Sequence, residues 1–298
     1  MMKPFDSIDT LQEALRDLCY IADRGLATSI YLAYKLNRPL FLEGEAGVGK
    51  TEVAKMMAGI LGTDLIRLQC YEGLDIHHAV YEWNYTRQIM NIRLMEARGE
   101  QPSEADLFSR DYLLRRPLLQ AIEHRHDKPV VLLVDEIDRS DEEFEAFLLE
   151  VLSEYQVTIP ELGPIRATHR PHVVLTSNRS RELSDALRRR CLYLWIDYPS
   201  FDKELEIVRA RIPAISEALS AELTRVIQVV RKLNLVKVPG VAETLDWAEA
   251  LAALNTSQLD REVVRETAGC FLKDESDLRR FEAELDAGRL KDILEAAP

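Results

Sequence analysis

The stretch "GEAGVGKT", Gly44 to Thr51, matches the pattern G-x-x-x-x-G-K-[ST] in full. It follows "RPLFLEGE", which reads as a short buried strand over Leu40 to Leu42, and precedes "TEVAKMMAGILG", a helix that closes at the C-cap Gly62. A strand on one side and a helix on the other is the setting this pattern needs. Glycines let successive backbone amides turn inward as an anion nest, and the helix N-terminus adds its positive end. The expected phosphate-binding residues are Gly44, Glu45, Ala46, Gly47, Val48, Gly49, Lys50, Thr51 and the adjoining Glu52. Lys50 is spaced to reach the β- and γ-phosphates, and the Thr51 hydroxyl to ligate magnesium.

Further along, "VVLLVDEID" (130–138) is an apolar strand ending in two carboxylates. Asp135 at its tip is placed to hold magnesium, and Glu136 to orient and deprotonate an attacking water. A third apolar strand, "VVLTSN", ends in Asn178, whose amide can bridge that water and the γ-phosphate. With "DLIRLQC" and "CLYLWID" these segments make five apolar runs alternating with helices, the signature of an α/β fold with a parallel sheet covered on both faces.

Residues 9–36 read as helical, 71–123 as a long, polar and mostly helical region, and "VTIPELGPIRATHR" as a hairpin within 156–172. From Tyr198 onward the strands stop, so a boundary near Pro199 separates a core of residues 1–199 from an all-helical domain of residues 200–298. "DEEFE", after Asp138, reads as a solvated helix start. The 298 residues carry a net charge of −13, with 47% hydrophobic and 30% charged residues. That composition supports a folded core and argues against generic nucleic-acid binding, which needs a basic face. Four scattered cysteines give no zinc or disulfide pattern. The first twenty residues lack a signal-peptide core and no run approaches a membrane span, so the expected location is the cytosol. His77 and His78 lack a completing ligand set, and Tyr81, Trp83 and Tyr85 alternate without a basic patch, so packing is expected of both groups.

These residues resemble the AAA+ ATPases and, within them, the MoxR family. Gly44–Thr51 match its Walker A motif, Asp135–Glu136 its Walker B and Asn178 its sensor 1. The stretch "DEIDRSDEEFEAFLLEVLSEYQVTIPE" is similar to the MoxR pattern after Walker B, with Asp138 standing where asparagine is common. "GEAGVGKTE", "RLQCYEGLD" and "PGVAETLDW" are most similar to the CoxD-like branch linked to carbon monoxide dehydrogenase maturation. The resemblance implies an AAA+ P-loop core with a helical lid, ATP and Mg2+ as cofactors, and a homo-oligomer, most often a hexameric ring. It also implies a partner carrying a von Willebrand factor A domain and a client metalloenzyme, and it makes residues 71–123 the place of the family's helical insertion.

In such a ring the cluster "DALRRRC" (185–191) occupies the arginine-finger position, with Arg190 the best match, Arg189 the second and Arg188 a solvated helix residue. The lid departs from the pattern: no arginine lies between Val238 and Trp247, where sensor 2 is expected, and Arg231 is a possible substitute. Two other readings remain open, a nucleic-acid motor or loader and a nucleotide-gated binding module with little turnover.

Overall fold

The computed structural model describes residues 6–101, 103, 107–124 and 128–288. The chain runs through α1 (Ile8–Asp17), α2 (Arg24–Leu36), β1 (Leu40–Gly44), α3 (Lys50–Leu61) and β2 (Leu65–Gln69). Next come α4 (Ile76–Ala79), β3 (Tyr81–Trp83), α5 (Tyr85–Ala97), β4 (Leu113–Arg115), α6 (Pro117–Ile122) and β5 (Val131–Asp135). They lead to α7 (Glu142–Glu154), β6 (Gln156–Ile159), β7 (Gly163–Arg166), β8 (His172–Ser177), α8 (Asp185–Arg190) and β9 (Leu192–Ile196). The rest is helical: α9 (Phe201–Arg211), α10 (Glu217–Val230), α11 (Val241–Ala253), α12 (Arg261–Thr267) and α13 (Glu275–Asp286).

The chain folds as two compact units. Thr28–Glu43 with Thr51–Trp195 make the first; residues 6–27, 44–50 and 196–288 make the second, so neither is continuous in sequence.

The first unit is built on the five-stranded parallel sheet that the apolar runs predict, in the order β2-β5-β8-β1-β9. Parallel strands need crossovers, and helices on the faces bury both sides, which is why β1 and β5 are buried throughout. In register, Ile66 faces Leu132, Leu132 faces Val173 and Phe41 faces Leu175. Phe41, Leu118, Leu119, Leu132, Phe144 and Leu148 fill the core around this sheet. Each such side chain contributes about 1.5–3 kcal/mol by leaving water. The order sets the carboxyl ends of β5, β8 and β1 side by side, the edge where open α/β sheets bind ligands.

The second unit centres on Trp247, Phe271 and Phe281, all essentially inaccessible. The rings of Trp247 and Phe271 are 4.5 Å apart, and the indole N–H donates to Thr267 Oγ1 at 2.8 Å. Ser200, Ser216, Asp260 and Asp274 each cap a helix by accepting a first-turn amide.

Three sequence expectations change. Residues 9–36 form two helices, α1 and α2, because Cys19 takes a left-handed φ of 57° that ends the first. The 71–123 segment, expected to be mostly helical, also contains a ribbon that was not expected: Tyr81–Trp83 and Leu113–Arg115 pair antiparallel. Tyr81 and Trp83 point inward from it, whereas Tyr85 is exposed on α5. In "DEEFE", Asp141 caps α7 through the Phe144 amide, but Glu145 is buried and paired with Arg181. The 156–172 hairpin does form, as β6 against β7.

His172 opens β8 with its ring 5.1 Å from that of Tyr34, and burial lowers its pKa. The unfolded chain therefore takes up this proton at a higher pH than the folded one. The stabilisation is full above the unfolded value of about 6.5 and drains as pH falls below it toward the depressed native value. Replacing His172 by Phe removes this term, so thermal melts of the variant between pH 7 and pH 5.5 should fall less steeply than those of the parent protein. Parallel curves over that range would contradict the assignment.

Candidate functional site

Asp135 ends the central strand β5 with only 2% of its surface exposed. A buried carboxylate must be paired or hydrogen-bonded, and this one has three donors. Its Oδ1 accepts from Thr51 Oγ1 at 3.0 Å and from Thr176 Oγ1 at 2.5 Å, while Oδ2 accepts from Arg67 Nη2 at 2.5 Å. Thr176 spends its one hydroxyl proton on Asp135, and its oxygen in turn accepts the Glu136 N–H at 3.0 Å. Arg67 and Thr176 were missed from sequence. Arg67 shares β2 with Gln69 and Thr176 shares β8 with His172 and Ser177, so neither stands out by type, and only the pairing of β2 and β8 with β5 brings them to the carboxylate.

Glu136 sits in the left-handed region at φ 54°, ψ 50°, and its half-exposed carboxylate is 3.3 Å from the Arg139 guanidinium. Beside it, the Cys70 thiol is pushed up to about 12, first by burial and then by the charges of Asp135, Asp138 and Glu136. It stays protonated and is no nucleophile.

Asn178 follows β8 with its side chain exposed, and its position is set through the backbone. Its N–H donates to Asp138 Oδ1 at 3.3 Å, and the Ser180 N–H and hydroxyl donate to Asp138 Oδ2 at 2.9 and 2.7 Å. Asp138 is 3% exposed. Where an asparagine was expected, the carboxylate offers acceptors on both oxygens to a loop that presents donors.

Among the arginines of α8, Arg188 lies 5.3 Å over the Tyr193 ring. Arg189 and Arg190 are exposed; Arg190 Nε donates to Ser153 Oγ at 2.8 Å, and the Arg189 carbonyl accepts from Arg38 at 3.1 Å. The start of α8 is fixed by the Ser184 amide donating to the buried Glu145.

The glycine loop belongs to the second unit. Gly47 and Gly49 have φ of +73° and +91°, the left-handed conformations that turn amides to one side. A side chain at Gly44 would run into the Ile196 carbonyl. The buried Lys50 ammonium donates to the carbonyls of Gly44 (2.8 Å) and Glu45 (2.5 Å), which holds it within the loop. These features fit a polyphosphate. A hard divalent cation fits Thr51 and Asp135, since magnesium is commonly held by one carboxylate, a hydroxyl, water and the phosphates. Among the described residues no group of three or more His, Cys, Asp or Glu side chains is arranged for a metal; the side chain of His77 lies outside the described residues, and the exposed His78 has its Nδ1 2.8 Å from Asp75 Oδ1 within the same turn.

In the same unit, Arg231 is committed elsewhere. Its guanidinium donates to both oxygens of Glu204 at 2.6 Å, with Nε on the Pro239 carbonyl at 2.8 Å. The two side chains are 6% and 0% exposed. Arg231 is a structural ion pair and not a free substitute for a sensor 2 arginine.

Residues 39–191 match the AAA domain of the dynein-related subfamily, a little over half of the chain. The chain belongs to this family of AAA+ ATPases. An uncharacterized protein of Staphylococcus aureus (strain bovine RF122 / ET3-1) is 24% identical over 171 residues, covering 55% of this chain and 57% of that relative. One from strain USA300 is 23% identical over the same span. The matched region is thus little more than half the length of these curated relatives. Among solved structures, the Thermotoga maritima RuvB Holliday junction branch migration motor aligns with 98% of this chain and 79% of its own, at 17% identity and a TM-score of 0.47.

Replacing Asp138 by Ala leaves the amides of Asn178 and Ser180 without their acceptor. We expect a loss of roughly 2–4 kcal/mol in unfolding free energy, read from urea midpoints. Asp138→Asn, which keeps one acceptor, should lose less; an Ala variant as stable as the parent would remove Asp138 from this role.

Proposed function

We propose that this chain is a Mg-dependent ATP hydrolase of the MoxR type, with residues 1–199 as nucleotide-binding core and 200–298 as lid. The observation that carries it is the hydrogen bond from the Thr51 hydroxyl to the buried Asp135. It ties the last residue of the phosphate loop to the acidic strand tip, the two groups needed around one magnesium ion. Gly44–Gly49 and Glu52 line the phosphate site, and Lys50 neutralises phosphate charge. Thr51 and Asp135 would hold the cation, which supplies charge neutralisation at the phosphates. Glu136 takes the proton of the attacking water, and Asn178 orients that water.

Arg190, with Arg189 second, completes the site of a neighbouring copy by offsetting charge that develops at the γ-phosphate. Their exposure at the end of α8 supports that role. The assembly is then a homo-oligomer, with six copies the expected number. The resemblance in "DEIDRSDEEFEAFLLEVLSEYQVTIPE" supports work on a protein client: remodelling or maturing a metalloenzyme with a von Willebrand factor A domain partner, in the cytoplasm. The net charge of −13 speaks against the nucleic-acid motor. One observation favours a binding module with slow turnover, namely the commitment of Arg231 to Glu204, which leaves the lid without an evident γ-phosphate arginine.

Hydrolysis assays separate these readings. Glu136→Gln should bind ATP and lower turnover by about 10²–10⁴-fold, the usual worth of a general base. Mixing it with Arg190→Ala subunits should restore part of the rate, because some interfaces then hold both intact groups. Turnover at the parent rate in Glu136→Gln rejects the assigned base, and no recovery on mixing rejects Arg190 as a residue acting across subunits.

A further inference from the structure

The helix that would carry a sensor 2 arginine makes a different contact with the phosphate loop. Both segments lie in the second unit. At the N-terminus of α11, the amides of Val241 and Ala242 donate to the Gly47 carbonyl at 2.9 and 3.2 Å. The approach is backbone against backbone and depends on two glycines. A Cβ on Gly240 would stand 2.7 Å from the Ala46 carbonyl oxygen and 2.8 Å from Gly47 Cα. A Cβ on Gly47 would stand 2.9 Å from Glu243 Oε2 and 3.1 Å from Gly240 Cα. Glu243 closes the junction by accepting the Gly240 N–H at 2.9 Å, capping the helix whose first amides are turned onto the loop.

The described peptide bonds include no cis bond, so the Gly47–Val48 unit is planar and trans, and its N–H points opposite to its C=O. With the carbonyl turned to α11, the Val48 N–H is turned away from it. The two donors on the carbonyl also polarise the peptide and make that N–H a better donor.

Resting on the reading of Gly44–Thr51 as a nucleoside-triphosphate site, we propose that the N-terminus of α11 is a positioning element of that site. It fixes the Gly47–Val48 peptide so that the Val48 amide is preset for a phosphate oxygen. It also gives the helical domain a backbone link to bound nucleotide in place of an arginine. Gly240, Val241 and Glu243 are the positioning residues, and none of them touches phosphate.

Proline is well tolerated at the first position of a helix, and the extended Gly240 (φ −84°, ψ −170°) suits the residue before one. Val241→Pro therefore removes one donor to Gly47 and sets the ring Cδ against that carbonyl, so it breaks the contact and pushes helix and loop apart while leaving the helix able to start. The experiment measures ATP affinity by displacement of a fluorescent ATP analogue, with residue-level hydrogen exchange on the same full-length proteins. We expect Val241→Pro, folded but with a lowered melting temperature, to bind ATP at least three- to tenfold more weakly, the worth of about one hydrogen bond. The protection that ATP gives the Val48 amide should also be lost. Gly240→Ala, which wedges the two backbones apart, should do the same. Parent-like affinity and Val48 protection in a folded Val241→Pro variant would overturn the proposal.

Should both variants misfold, the unsubstituted protein decides: ATP must slow exchange at Val241 and Ala242 together with Val48. Protection at Val48 with no change at 241–242 rejects the link. If the unsubstituted protein binds no ATP at all, the nucleotide reading itself is wrong and this proposal goes with it. A variant that binds ATP normally leaves that reading standing and removes only the role of α11.

Discussion

The buried carboxylate of Asp135 sets the terms for the rest of the first unit. Removing a carboxylate from water costs several kcal/mol unless hydrogen bonds and charge replace the solvent. Here three elements supply them: Thr51 at the start of α3, Thr176 on β8 and Arg67 on β2. The partners come from both strands that flank β5, so the sheet order and the satisfaction of this one group are a single constraint. Shifting β8 by one residue would turn Thr176 to the other face and leave the carboxylate with one donor fewer. Arg67 is half-exposed while Asp135 is not, so the pair is weakened by solvent on one side only.

Much of this was legible in sequence, and the reason is physical. Strands buried on both faces must be apolar throughout, so five such runs announced the sheet, and the glycine pattern fixed where its loop lies. The places of Asp135, Glu136 and Asn178 at the ends of β5 and β8 were legible because each closes an apolar run. Arg67, Thr176 and the burial of Glu145 were not, since each depends on a partner far away in sequence. Arg181, the partner of Glu145, lies beyond a whole helix and hairpin. The β3–β4 ribbon escaped because three-residue strands carry too little periodicity to separate from helix. The break between α1 and α2 rests on one residue, Cys19, with no glycine or proline to mark it.

Arg231 shows how a plausible reading from residue type fails on packing. Its guanidinium is stacked 4.9 Å over Tyr198 and spends all three nitrogens on Glu204 and Pro239. Glu204 also accepts from Gln228 and Thr244. Pulling the arginine out would strand a fully buried carboxylate, a cost of about 3–5 kcal/mol. A single contact to a phosphate in partly aqueous surroundings does not offset that. The ion pair thus ties α9, α10 and the α11 segment together, and that packing is the work of Arg231.

Thr176 joins two adjoining carboxylates whose surroundings differ. Its hydroxyl is donor to Asp135 and acceptor to the Glu136 amide, so one atom orients the side chain of the first and the main chain of the second. The second contact matters because Glu136 has a left-handed backbone, which costs a non-glycine residue about 1–2 kcal/mol. A hydrogen bond to a buried, strand-borne hydroxyl recovers about 1 kcal/mol of that. The strained turn ends β5 abruptly and parts the two side chains: Asp135 stays with the sheet and Glu136 projects toward Arg139 and solvent. Along a continuing strand the two side chains would alternate to opposite faces of a sheet covered on both, and both acids would be buried. The separation into a buried acceptor and a half-exposed carboxylate is therefore written in the backbone angle of one residue and the hydroxyl that holds it.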